Sequence, residues 1–219
     1  FLAEPQKLDQ FLDQIFSKLD MKISIETRIG THYEEDWEYL LAIYEKYPIH
    51  ELIIHPRIQT DMYRGVPRLG AYEKAVNRLK MPLCYNGNLF SVADYKRITE
   101  RFPDTCCFMY GRGLITNPGL VTEIREGIRQ DKKTVKEFHD CLFEEYRELL
   151  SGERNVLFRM KELWSYLAPM FTNNKKYAKK IKKAEKCVVY ENAVRELFSC
   201  EQLIGEVENA DMEKNTGLL

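Results

Sequence analysis

No run of 18 consecutive apolar residues occurs in the 219-residue sequence, so no segment reads as a membrane span. Glycine and proline are modest, at 11 and 8, which excludes collagen-like and low-complexity chains. The six cysteines, Cys84, Cys106, Cys107, Cys141, Cys187 and Cys200, include no C-x-x-C pair. The common zinc and redox spacings are therefore missing, and no metal site is expected. Neither sign of charge dominates: 33 basic against 34 acidic residues excludes a chain that is basic throughout. The opening stretch has no basic n-region and no A-x-A-like cleavage site, so it is not a signal peptide. It begins at Phe1 rather than Met, and the expectation is a fragment of a longer protein. Length points the same way. A closed eight-stranded α/β barrel takes about 250 residues, so this chain could hardly hold one and a second domain as well.

What remains is the composition of an ordinary globular protein, 44% hydrophobic and 31% charged, which argues against disorder. Cys84, Cys106 and Cys107 lie in apolar runs and read as small core residues of a protein in a reducing cytosol. Leu8, Phe11, Leu12, Ile15, Phe16 and Leu19 recur at helical spacing. Residues 22–29 alternate with a period of two and read as a strand. The pattern then repeats. Helices are expected over 34–46, 70–80 and 91–101, and strands over 51–55, 82–85 and 105–110. Strands alternating with helices imply parallel βαβ units. After Pro118 strand signals vanish, and helices are expected near 118–129, 133–150, 154–170, 174–184 and 188–203. The last residues, 206–219, are polar and read as a frayed tail.

In parallel α/β folds function sits at the carboxyl ends of strands. Four successive strand ends here carry polar or glycine residues: Arg28-Ile29-Gly30, His55-Pro56-Arg57, Asn86-Gly87-Asn88 and Gly111-Arg112-Gly113. Glycines let a backbone approach an anion, and arginine can clamp a phosphate. G-x-G alone is common, so the same residues also read as ordinary turns. His55 could serve as acid, base or hydrogen-bond donor, or be structural. Glu26 shares a strand face with Ser24 and Arg28. A barrel-interior carboxylate needs a partner, and Arg28 is the expected one. Residues 175–186 hold seven lysines and one acid, with Tyr177, Ile181, Ala184 and Val188 as an apolar stripe. Such a face attracts a polyanion, although a charge run is also an ordinary solvated surface. Trp164 and Tyr166 read as core.

Several of these segments, in order, resemble the tRNA-dihydrouridine synthases. Ser24 to Gly30 resembles their V-K-x-R-x-G strand. His55, Arg57, Tyr63 and Gly65 resemble their H-x-R…Y-x-G segment, Asn86-Gly87-Asn88 their N-G-D, and Met109 to Gly113 with Asn117-Pro118 their M-x-G-R-G…N-P. Arg159 to Trp164 is similar to a basic motif of their helical domain. The resemblance implies the second half of a (β/α)8 TIM barrel over 1–130, holding part of an FMN site, and an all-α helical bundle over 131–205 that binds tRNA. It implies reduction of a flipped-out uridine to 5,6-dihydrouridine, with NADPH as reductant. Asn86, Gly87, Gly111 and Arg112 would hold the flavin phosphate, with Glu26, Arg28, His55, Arg57 and Asn88 around the cofactor. Lys161, Lys175, Lys176, Lys179, Lys180 and Lys183 would face RNA.

Three departures from the family pattern stand out. The family's catalytic cysteine falls on a loop upstream of Phe1, so the chain is expected to be inactive alone. Glu26 stands where the family has lysine, and Asn88 where it has aspartate. Two alternatives follow: a non-catalytic RNA-binding protein on a degenerate barrel, or another flavin-barrel oxidoreductase. A four-strand half-barrel also leaves two unpaired edges, from which a homodimer, a swapped assembly or covering segments are expected.

Overall fold

The computed structural model describes residues 1–205, and the expected frayed tail lies outside them. Four strands, β1 (Ser24–Arg28), β2 (Glu51–His55), β3 (Leu83–Asn86) and β4 (Cys107–Met109), form one parallel sheet in sequential order β1-β2-β3-β4. Sequential parallel strands joined by helices are the repeating unit of a barrel wall, consistent with a partial TIM barrel. The intervening helices are α2 (Asp36–Tyr44), α3 (Leu69–Arg78) and α4 (Val92–Arg101), and α1 (Pro5–Lys18) precedes the sheet. Helix α1 begins at Pro5 itself, where the missing amide costs nothing, rather than at Leu8.

The chain divides into two compact units. Residues 1–89 and 96–110 form the first; residues 90–95 and those from 111 onward form the second. In the first unit, register places Thr27, Ile54, Tyr85 and Phe108 in one row on one face of the sheet. That row packs into a core with Leu8, Leu12, Trp37, Leu40, Leu41, Tyr44, Ala71 and Tyr72. Two buried hydrogen bonds fix α2: Trp37 Nε1 donates to the Ala71 carbonyl at 2.8 Å, and the Tyr44 and Thr27 hydroxyls meet at 2.7 Å. Burial pushes the Tyr44 phenol up to about 12.

The described part of the second unit is helical: α5 (Arg112–Thr116), α6 (Leu120–Glu126), α7 (Lys132–Leu149), α8 (Glu153–Leu167), α9 (Asn174–Lys183) and α10 (Cys187–Cys200). The helix expected over 118–129 is α6, shorter at both ends, and α5 is a further helix over residues read as the loop before it. A residue before proline is pushed out of the helical region, and Asn117, ahead of Pro118, is extended at φ −132° and ψ 93°. Helix α6 then stops at Gly127, whose φ of 68° suits the left-handed cap. Pro169 likewise shortens the helix expected to reach residue 170, which ends at Leu167 and continues as a 3₁₀ turn, Ala168–Met170. Helix α7 is capped by Asp131, whose carboxylate accepts from the Thr134 amide at 2.8 Å.

Trp164 lies in this unit's core, as expected, and Tyr166 packs against it. The core contains a chain of polar groups. Trp164 Nε1 donates to the Tyr190 hydroxyl at 2.7 Å, and that hydroxyl lies 2.6 Å from His139 Nε2. His139 Nδ1 lies 2.9 Å from Asp140 Oδ1. Every member has a partner, so their burial is tolerated.

Candidate functional site

The second face of the sheet ends in Arg28, His55, Asn86 and Met109, with Arg28 paired in register to His55 and Asn86 to Met109. Three of these, Arg28, His55 and Asn86, are expected strand-end residues, and period-two alternation in parallel strands stacks them on one face. Arg28 is half-buried. Its Nη1 donates to the Ile58 carbonyl at 3.0 Å, and its guanidinium lies 5.7 Å from the centre of the Tyr63 ring. Tyr63 also flanks His55, with ring centres 6.3 Å apart.

Arg57 is fully buried, with 0% exposure. Its Nη2 donates to the Gly65 carbonyl at 2.5 Å and to Asn88 Oδ1 at 3.2 Å, and its Nε donates to the Arg64 carbonyl at 3.3 Å. Its Nη1 lies 3.0 Å from His55 Nε2. A guanidinium only donates. Nε2 of His55 therefore accepts, and the ring proton sits on Nδ1. Arg57 thus ties the loop after β2 to the strand end and sets the imidazole's tautomer. The same loop is pinned by Arg68, which pairs with Asp61 and with Glu34; the Arg68 hydrogen bond holds the Asp61 carboxyl below its usual range.

Glu26 differs from expectation in two ways. It is exposed rather than buried, and its carboxylate accepts from Asn86 Nδ2 at 2.8 Å rather than pairing with Arg28. Arg28 is turned instead toward Ile58 and Tyr63. Asn86 is thereby held between Glu26 and the Met109 sulfur, 3.2 Å away. Gly87 cannot carry a side chain without meeting the Tyr85 hydroxyl. No periodicity argument links positions 26 and 86; only the parallel stacking of β1, β2 and β3 does.

The cysteines also depart from expectation. Cys84 is buried and Cys107 half-buried, but Cys106, read as a core residue, is exposed. It lies just ahead of β4, where alternation turns it away from the side Cys107 takes. Burial raises the Cys84 and Cys107 thiols.

In the second unit, Gly111 precedes α5 and is exposed, with nothing within 4 Å of where a Cβ would stand. Arg112 is half-buried, with its guanidinium 5.4 Å from the centre of the Phe90 ring. Helix α9 buries Tyr177 and Ile181 and exposes Lys175, Lys176, Lys179, Lys180, Lys182 and Lys183. Ala184 completes the buried stripe, but Val188 does not: it is 65% exposed, and Cys187 is buried in its place. Helix α9 ends at Lys183 and α10 starts afresh at Cys187, so the helical phase is not carried across. Lys180 pairs with Glu196 at 2.5 Å. Lys161, on α8, is half-buried.

No helix of the described residues is long and apolar enough to cross a membrane. No curated protein matches the chain. The family model for dihydrouridine synthase (Dus) matches residues 1–209. With nearly the whole chain covered, including every strand end described above, the chain belongs to the dihydrouridine synthase family.

Proposed function

We propose that this chain is the FMN-barrel and tRNA-binding portion of a tRNA-dihydrouridine synthase, with residues 1–130 on the flavin side and 131–205 forming a helical tRNA-binding bundle. The observation that carries this reading is the strand-end row Arg28, His55 and Asn86 in a chain of this family.

Each unit by itself offers groups suited to part of a flavin mononucleotide. Gly111 leaves its backbone open to a bulky anion, beside the positive charge of Arg112. Arg28 and the Nδ1–H of His55 offer donors to a polar ring edge, and Asn86 offers an amide positioned by Glu26. When bound and reduced by NADPH, such a cofactor supplies a hydride to C6 of uracil. In this reading Arg57 and Asn88 act by holding His55 and its loop. None of the six thiols stands in the strand-end row, and burial raises the Cys84, Cys107 and Cys187 thiols. In this reading the chain alone is inactive, and the proton for C5 comes from a cysteine outside it. The exposed lysines of α9, with Lys161, attract tRNA phosphates in a cytoplasmic setting. Lys180 contributes less, because Glu196 already neutralises it.

The test is a tRNA titration across salt concentrations. For the unaltered chain, the logarithm of affinity should fall linearly with the logarithm of salt. Lys175, Lys176, Lys179 and Lys183 changed together to Glu should weaken binding and flatten that slope by about one unit per lost phosphate contact. An unchanged slope sinks the RNA-binding assignment. A clean monomer by light scattering would argue against closure of the sheet edges by a second copy.

Glu26 favours a second reading. A carboxylate in place of the family lysine repels an anionic reduced ring, which suits a non-catalytic RNA-binding protein. Stoichiometric flavin absorbance in the full-length protein would exclude it.

A further inference from the structure

The second face of the sheet carries another group of polar side chains, below the strand-end row. Cys84 and Cys107 are direct register partners on the adjacent parallel strands β3 and β4. Glu51 opens β2, two residues before Ile53, which is itself the register partner of Cys84. Alternation therefore puts Glu51 on the same face as both thiols, one step diagonally away. The Glu51 carboxylate and the two sulfurs all lie within 4.8 Å of one another. Among the described residues no lysine or arginine forms an ion pair with Glu51. The three strands contribute one ligand atom each, and the sheet's backbone hydrogen bonding fixes their spacing.

We propose that Glu51, Cys84 and Cys107 form a binding site for a borderline-soft divalent cation of the zinc type, clamping β2, β3 and β4 together. Two thiolates and one carboxylate match that ion's preferences, whereas an oxygen-seeking cation such as magnesium would reject the sulfurs. Metal–sulfur bonds of about 2.3 Å require sulfurs roughly 3.8 Å apart in a tetrahedral site. That spacing falls inside the 4.8 Å within which the three ligand atoms already lie. On binding, each cysteine loses its proton to solvent, Glu51 binds as the carboxylate, and water fills the fourth position. The site uses none of the strand-end residues, so it is independent of the flavin reading.

The probe is Co²⁺, added to the reduced full chain and followed by absorption. The expected result is one equivalent bound, with a near-ultraviolet thiolate-to-cobalt charge-transfer band and the intense visible bands of four-coordinate cobalt. Zn²⁺ should displace the cobalt and protect two of the six thiols from alkylation. Cys84→Ser and Cys107→Ser should each abolish the charge-transfer band or halve it. Cys84 is buried, so each variant is checked for an unchanged circular-dichroism spectrum. Glu51→Gln, half-exposed and isosteric, tests the site without disturbing the core, and should weaken cobalt binding at least tenfold. Mg²⁺ should give no protection. No charge-transfer band in the reduced chain, or cobalt affinity unchanged in Glu51→Gln, overturns the proposal. So does a Cys84–Cys107 disulfide that, once reduced, binds no cobalt.

Discussion

Asn86 reaches past β2 to hydrogen-bond Glu26, Nδ2 to Oε1 at 2.8 Å, although the two residues are 60 positions apart. The amide serves as donor to the carboxylate, so the pair requires one neutral and one charged partner. Asn86→Asp would set two carboxylates against each other. The variant should melt at a lower temperature than the parent near neutral pH, with the gap closing at about pH 4, where carboxylates take up protons. An equal gap at both pH values would mean that repulsion is not the cause.

Arg57 should be the least replaceable residue of the first unit's site. Its removal leaves the carbonyls of Arg64 and Gly65 and the amide oxygen of Asn88 without this donor. Arg57→Ala should cost about 3 kcal/mol in urea unfolding. Arg57→Lys should recover little, because a single ammonium cannot reproduce the fork. Asn88→Asp should act in the opposite sense, turning a neutral hydrogen bond into a charge-assisted one and raising the urea midpoint.

Tyr190 links two aromatic partners in the second unit's core. Tyr190→Phe keeps the ring and removes only the hydroxyl. It leaves Trp164 Nε1 and His139 Nε2 buried without that partner, at a cost of about 1–3 kcal/mol. A loss within a few tenths of a kcal/mol in denaturant titration would show that the network adds no stability.

His139 gives this core a pH dependence of definite sign. Burial, the largest influence, depresses its pKa below the ordinary value of 6.5, although Asp140 opposes the shift. The unfolded chain therefore takes up a proton more readily than the folded one. Stability from the neutral ring is fully present above about pH 6.5 and falls as pH drops below it. His139→Gln should remove that part of the decline. Melting curves of both proteins across this range measure it, and parallel curves would assign the decline to other groups.

Much of this molecule was legible before any coordinates. Strand β2 falls on the five residues expected, β1 and β4 fall within their expected runs, and β3 is shifted by one residue, because short β-branched and aromatic runs between turn residues leave little choice. The lysine face of α9 was equally plain, since helical spacing sorts its residues by itself. Local geometry accounts for the differences: the extended Asn117 ahead of Pro118 separates α5 from α6, and the break after Lys183 puts Cys187 rather than Val188 in the core.

The sequence by itself determined which residues end each strand, because alternation and turn chemistry are local. It could not determine their partners. Glu26 had an obvious candidate two residues away in Arg28, yet its hydrogen bond goes to Asn86, two strands across. Cys84 and Cys107 have no recognisable ligand spacing along the chain, yet β3 and β4 bring them into register with Glu51 close by. Both outcomes depend on which strand lies beside which, and on the one register that buries Thr27, Ile54 and Tyr85 against the helices.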